Sequence, residues 1–128
     1  MAIFKNIFGT NQTSNTVENF GWITMDSLKQ INEIIDNSTA QSILIFKHST
    51  RCSVSRMALK QFENEFKNAK DIDCYFLDLI KYREISNEIS QQFSVTHQSP
   101  QVLIIKDGIC TFNVSHSDIV AASILEKI

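Results

Sequence analysis

Apolar and polar positions follow two rhythms along this chain, and the switches between them mark its elements. "SILIFKH" (Ser42 to His48) is a near-continuous apolar run, the pattern of a central strand covered on both faces. "IDCYFLDL" (Ile72 to Leu79) reads as a second interior strand, and the shorter "FGWIT" (Phe20 to Thr24) as another. Between these runs the period changes to that of a helix. In "MDSLKQINEIIDN", Leu28, Ile31, Ile34 and Ile35 share one face, with Thr24 or Asp26 available to cap the start. From Ser53 to Ala69, Leu59, Phe62 and Phe66 are spaced for one buried face, and "NAKD" ends the helix; "REISNEISQQF" gives a third, with Ile85, Ile89 and Phe93 inward. The strongest local signal is "VLIIK", then Asp107-Gly108, then "ICTFNV", which predicts two strands joined by a type I′ turn. "SHSD" then caps a last helix from Ile119 to Ile128, with Ile119, Val120 and Ile124 inward and Ile128 able to join them.

The order is β-α-β-α-β-α-β-β-α, an α/β chain in which alternation gives a parallel core and the closing hairpin adds an antiparallel edge. This central mixed sheet flanked by helices resembles the thioredoxin arrangement. Two further features agree with it: Cys52 follows the long central strand where a helix begins, and the only proline, Pro100, stands just before the hairpin. In thioredoxin-like proteins that proline is cis, and an X-Pro bond is the place where a cis peptide costs least. Residues 1–19 read as an extension, a short amphipathic helix carrying Ile3, Phe4, Ile7 and Phe8 followed by a polar linker, so the thioredoxin-like domain is expected over 20–128.

With 128 residues and 43% hydrophobic content the chain suffices for one domain with a real core. A formal charge of −2 and no basic run argue against a nucleic-acid partner. No apolar stretch approaches the ~20 residues that cross a bilayer, and the start lacks an export signal, so a soluble, cytoplasmic protein without a membrane partner is expected. The three cysteines, Cys52, Cys74 and Cys110, are far apart and lack the tight spacing of a metal site, which predicts free thiols and no metal.

Cys52 is the chemically special one. A helix N-terminus carries about half a positive charge and several amides without intrahelical partners, and both favour a thiolate, the nucleophilic form. Arg51 and Arg56 flank it. Ser55, one turn on, occupies the place where a dithiol enzyme carries its second cysteine; it is expected to donate a hydrogen bond to the sulfur, and it cannot close a disulfide. The site is therefore suited to mixed disulfides. Cys74 and Cys110 fall within strands and are expected to be structural, as are the aromatics Trp22 and Tyr75.

"KHSTRCSVS" (Lys47 to Ser55) and "THQSPQ" (Thr96 to Gln101) together resemble the monothiol bacilliredoxin family, thioredoxin-fold proteins of bacteria that use bacillithiol. The family's site usually reads Cys-Pro-Ile-Ser and His-Glu-Ser-Pro-Gln; Ser53 replaces the proline here and Gln98 the acid, and neither change removes the nucleophile. The resemblance implies removal of bacillithiol from S-bacillithiolated client proteins, with bacillithiol as co-substrate and no bound cofactor. Cys52 and Ser55 would be catalytic. Lys47, Thr50, Arg51, Ser53, His97, Ser99 and Pro100 would contact substrate: Thr50 shaping the loop, Lys47, Arg51 and Arg56 available to the malate carboxylates, and Ser99 and Pro100 laying the client chain beside the sulfur. His48 and His97 are candidate proton shuttles or structural hydrogen-bonders. Competing readings are a relay in which Cys74 or Cys110 resolves Cys52, an iron–sulfur carrier, disfavoured because no glycine follows Cys52, and a non-catalytic thioredoxin-fold module that binds proteins.

Overall fold

The structure, a computed structural model, describes residues 20–66 and 72–128. The expected extension over 1–19 lies outside them. The elements run β1 (Ile23–Thr24), α1 (Lys29–Asn37), β2 (Ile43–His48), α2 (Ser53–Phe66), β3 (Asp73–Asp78), α3 (Arg83–Gln92), β4 (Gln101–Lys106), β5 (Ile109–Ser115), a 3-10 turn (His116–Asp118) and α4 (Ala121–Leu125). One sheet holds all five strands in the order β1-β3-β2-β4-β5. β1, β3 and β2 pair in parallel, while β4 runs antiparallel to β2 and to β5.

The continuous apolar run of β2 is explained by its place at the centre, where both faces are covered. Ile43 and Ile45 pack with Ile31 and Ile34 of α1 and Ile85 and Ile89 of α3. Leu44 and Phe46 pack on the opposite face with Phe62 and Phe66 of α2 and Ile124 of α4. Each such buried side chain contributes about 1.5–3 kcal/mol, so the two layers together dominate the driving force. Asp107 and Gly108 both have positive φ, 52° and 79°, as a type I′ turn requires. The turn is tied to the end of α1: Ser38 O accepts from Asp107 N at 2.9 Å and Ser38 Oγ accepts from Gly108 N at 2.8 Å.

Several local expectations are corrected. Neither Thr24 nor Asp26 caps α1; instead the Gln30 side chain reaches back and its Oε1 accepts from Asp26 N and Ser27 N at 2.8 and 3.0 Å. This is the returning half of a capping box, and Ser27 Oγ adds a long hydroxyl contact by accepting from Lys29 N at 3.4 Å. Leu28 consequently lies before the helix and is 41% exposed. The strand expected over Phe20–Thr24 shrinks to Ile23–Thr24. α2 is described from Ser53 to Phe66, and its expected end at Ala69 lies outside the described residues. The last helix is shortened most: His116 takes φ 56°, the chain makes a 3-10 turn, and α4 starts only at Ala121, which puts Ala121 and Ile124 inward and leaves Val120 41% exposed.

Candidate active site

Cys52 stands at the threshold of α2. Its N–H donates to Ser49 O at 3.3 Å, closing the loop after β2, and its carbonyl accepts the first helical hydrogen bond, from Arg56 N at 3.0 Å. The side chain is half-buried, and the amides of the first helical turn have no intrahelical acceptor. Ser53 and Arg51 are exposed on either side; Arg56 Nη1 donates to Thr50 O at 3.1 Å and steadies the loop.

Ser55 does something other than expected. Its side chain is wholly buried, its Oγ accepts from Ser49 N at 3.0 Å, and it lies 2.8 Å from His48 Nδ1. Among the described residues no hydrogen bond joins Ser55 to the Cys52 sulfur. Position 55 faces the sheet because His48, the last residue of β2, points to the α2 face, as Phe46 does two residues earlier. Burial holds the His48 imidazolium below its usual range, the Arg56 charge adds to this, and Asp78 and Ser55 oppose it. The three residues therefore brace the loop that presents Cys52.

Lys47 points to the opposite face and is also corrected. It is 0% exposed, so it does not offer an exposed charge to a carboxylate. Its Nζ lies 2.8 Å from His97 Nδ1, which is also 3.4 Å from Ser86 Oγ of α3. Burial lowers the Lys47 ammonium from 10.5 to about 8. Burial lowers His97 too, with the charges of Lys47 and Arg83 acting in the same direction. Between pH 8 and 10.5 the unfolded chain binds more protons at Lys47 than the folded one, so the lysine opposes folding fully below about pH 8 and ceases to do so as pH rises through that window. Lys47→Met is accordingly expected to stabilise the fold at pH 7 by about 1–3 kcal/mol. Urea unfolding of both proteins at pH 7 and at pH 9.5 checks this: the advantage of the variant should shrink at the higher pH.

The segment before β4 completes the region. The Ser99–Pro100 peptide bond is cis, Pro100 is buried, and its carbonyl accepts from His116 N at 2.9 Å. Gln101, 1% exposed, donates through Nε2 to Thr96 O at 3.1 Å, while its Oε1 and the buried Ser99 Oγ have no partner among the described residues. Since β2 and β4 are antiparallel and Lys47 pairs with Gln101, the chain leaving β2 toward Cys52 and the chain entering β4 from His97 emerge at the same end of the sheet. Ser86 and Gln101 were not singled out as site residues by sequence; the signal was a small polar residue between the apolar positions of α3 and an amide in a strand.

The other thiols are placed differently. Burial, then Asp73, pushes the Cys74 thiol up to about 12. Burial also raises Cys110, although hydrogen bonding, including Sγ to Phe112 O at 3.4 Å, works against the rise. Neither is presented at a helix start. Among the described residues no group of three or more His, Cys, Asp or Glu side chains could hold a metal ion, and no helix is long and apolar enough to cross a membrane.

A cysteine at the β2–α2 junction and a cis-proline before the hairpin, on this sheet, define a thiol oxidoreductase of the thioredoxin fold. Solved structures agree. A thioredoxin-fold protein described as a candidate oxidoreductase superposes with a TM-score of 0.73 at 28% identity, over 83% of this chain and 92% of its own. Thioredoxin O2 from Arabidopsis thaliana, in its oxidised state, gives 0.67 at 16% identity, over 85% and 95%. Thioredoxin from Fasciola hepatica gives 0.61 at 18% identity, over 82% and 94%. The chain belongs to the monothiol bacilliredoxin BrxC family, whose model matches residues 23–124.

Proposed function

We propose that this protein removes bacillithiol from S-bacillithiolated proteins of the cytoplasm, with Cys52 as the nucleophile. The observation that carries the reading is the helix threshold at Cys52 combined with a buried serine one turn on, in a chain of the bacilliredoxin family. The Cys52 thiolate attacks the bacillithiol sulfur of the mixed disulfide. A new S–S bond forms to Cys52, the old one breaks, and its electron pair leaves on the client sulfur. With no second sulfur at position 55, the bacillithiol adduct persists until another thiol attacks it. Thr50 and Ser53 flank Cys52 in the chain and contact the substrate beside it, Arg51 is the exposed cation suited to a carboxylate of bacillithiol, and the Ser99–Pro100 backbone aligns the client chain.

The test is intact mass with peptide mapping after the reduced protein meets a bacillithiolated client, beside a glutathionylated one. The expected result is an adduct of bacillithiol confined to Cys52, release of the client thiol, and slower reaction with the glutathionylated control. Absence of any Cys52 adduct would leave a protein-binding module as the better account.

A further inference from the structure

We infer that Lys47 and His97 form a relay that delivers a proton to the thiolate expelled when Cys52 attacks a mixed disulfide. The inference rests on the reading of Cys52 given above and adds to it the source of the proton.

The relay follows from which nitrogen faces which way. The Lys47 ammonium can donate to His97 Nδ1, 2.8 Å away, only if that nitrogen carries no proton, so the neutral ring bears its hydrogen on Nε2. Nδ1 is turned inward to the wholly buried lysine, and His97 as a whole is exposed, which puts the Nε2–H on the solvent side. That side lies at the end of the sheet from which the Cys52 loop also emerges. The inner end is a small polar cluster on the apolar α1–α3 face. Ser86 Oγ lies beside Nδ1, and Gln101, the cross-strand neighbour of Lys47, holds a buried Oε1 that no group among the described residues satisfies. Arg83 at the start of α3 is the other charge acting on His97, and β3 presents the apolar Leu77 beside Lys47.

In the reaction the expelled client thiolate takes the Nε2 proton while Nδ1 receives one from Nζ. A thiolate and an ammonium become a thiol and an amine, the imidazole ends neutral in its other tautomer, and no electrons beyond the exchanged disulfide pair move. Lys47 touches no substrate and acts through His97. The arrangement also gives the buried lysine a purpose: its position costs stability, and the charge it carries lies where burial makes it easy to surrender.

The test compares two mixed disulfides of bacillithiol at pH 7, one releasing a cysteine-peptide thiol and the other 5-thio-2-nitrobenzoate, which leaves as a stable anion and needs no proton. The ratio of the two rates is the readout, because a general loosening of the site lowers both rates together. Lys47→Met and His97→Gln should each lower the peptide-to-nitrobenzoate ratio by at least about tenfold. In the unaltered protein the ratio should decline toward the variants' value as pH rises past about 8, where Lys47 gives up its proton. His97 is exposed, so its variant tests the relay independently of the buried substitution. Ratios unchanged in the variants, or no decline with pH, overturn the relay and leave Cys52 as nucleophile. A protein that reduces neither disulfide overturns the reading of Cys52 itself, and the relay with it.

Discussion

Cys52→Ser is expected to lower the reduction of bacillithiolated clients by more than about a thousandfold, because a serine hydroxyl cannot replace a thiolate in disulfide exchange. The fold should be untouched: Cys52 is half-buried and its structural contacts are made by its backbone, through Ser49 O and Arg56 N. Cys74→Ser and Cys110→Ser should keep the turnover. Cys74 lies in β3, 9% exposed, with its thiol pushed up to about 12, so almost none of it is thiolate near neutral pH. Cys110 is in β5, on the far side of β4 from β2. Steady-state release of client thiol by the three variants measures this directly. Turnover that survived in Cys52→Ser and vanished in Cys110→Ser would move the nucleophile to the hairpin, whereas turnover lost in both would revive the relay in which Cys110 resolves Cys52.

Ser55→Ala is expected to destabilise the protein by about 2–4 kcal/mol while changing the rate per folded molecule by less than about tenfold. The single hydroxyl satisfies two buried neighbours, the amide of Ser49 and the imidazole of His48, which are 8% and 5% exposed. Alanine leaves both without a partner where water does not reach. The measurement is urea unfolding, where the midpoint should fall at unchanged slope, alongside single-turnover reduction under conditions that keep the variant folded. The opposite pattern, full stability with a large loss of rate, would restore the hydrogen bond to sulfur that the sequence suggested.

The contrast at Ser55 shows what a chain of this kind makes readable. The four longer strands could be read because β2 and β3 are apolar runs and β4 and β5 flank a dipeptide whose positive φ angles fit one turn, whereas the short β1, two exposed residues, kept only part of its expected length. The position of Cys52 could be read for the same reason, as a junction between two periods. What could not be read was which way side chains turn within those elements. In "ILIFKH" every residue is buried, so no alternation reveals that Lys47 leaves toward α3 and His48 toward α2. Lys47 finds its partner in His97, fifty residues on, and His48 finds Ser55, a small hydroxyl that could as easily have been solvated. The shortening of α4 depends on the turn at His116, whose N–H bonds back to Pro100 O, a contact between segments far apart in sequence.

Trp22, the molecule's only tryptophan, stacks on Phe20 with centroids 4.4 Å apart and meets Phe46 of β2 edge-on at 5.8 Å. Its indole N–H donates to Glu63 Oε2 of α2 at 2.7 Å. The one strong fluorophore is thus fastened both to the helix that starts after Cys52 and to the strand that leads to it. Its emission is a built-in optical gauge of how that helix sits on the sheet, readable in real time and without a label as the sulfur gains and loses its adduct.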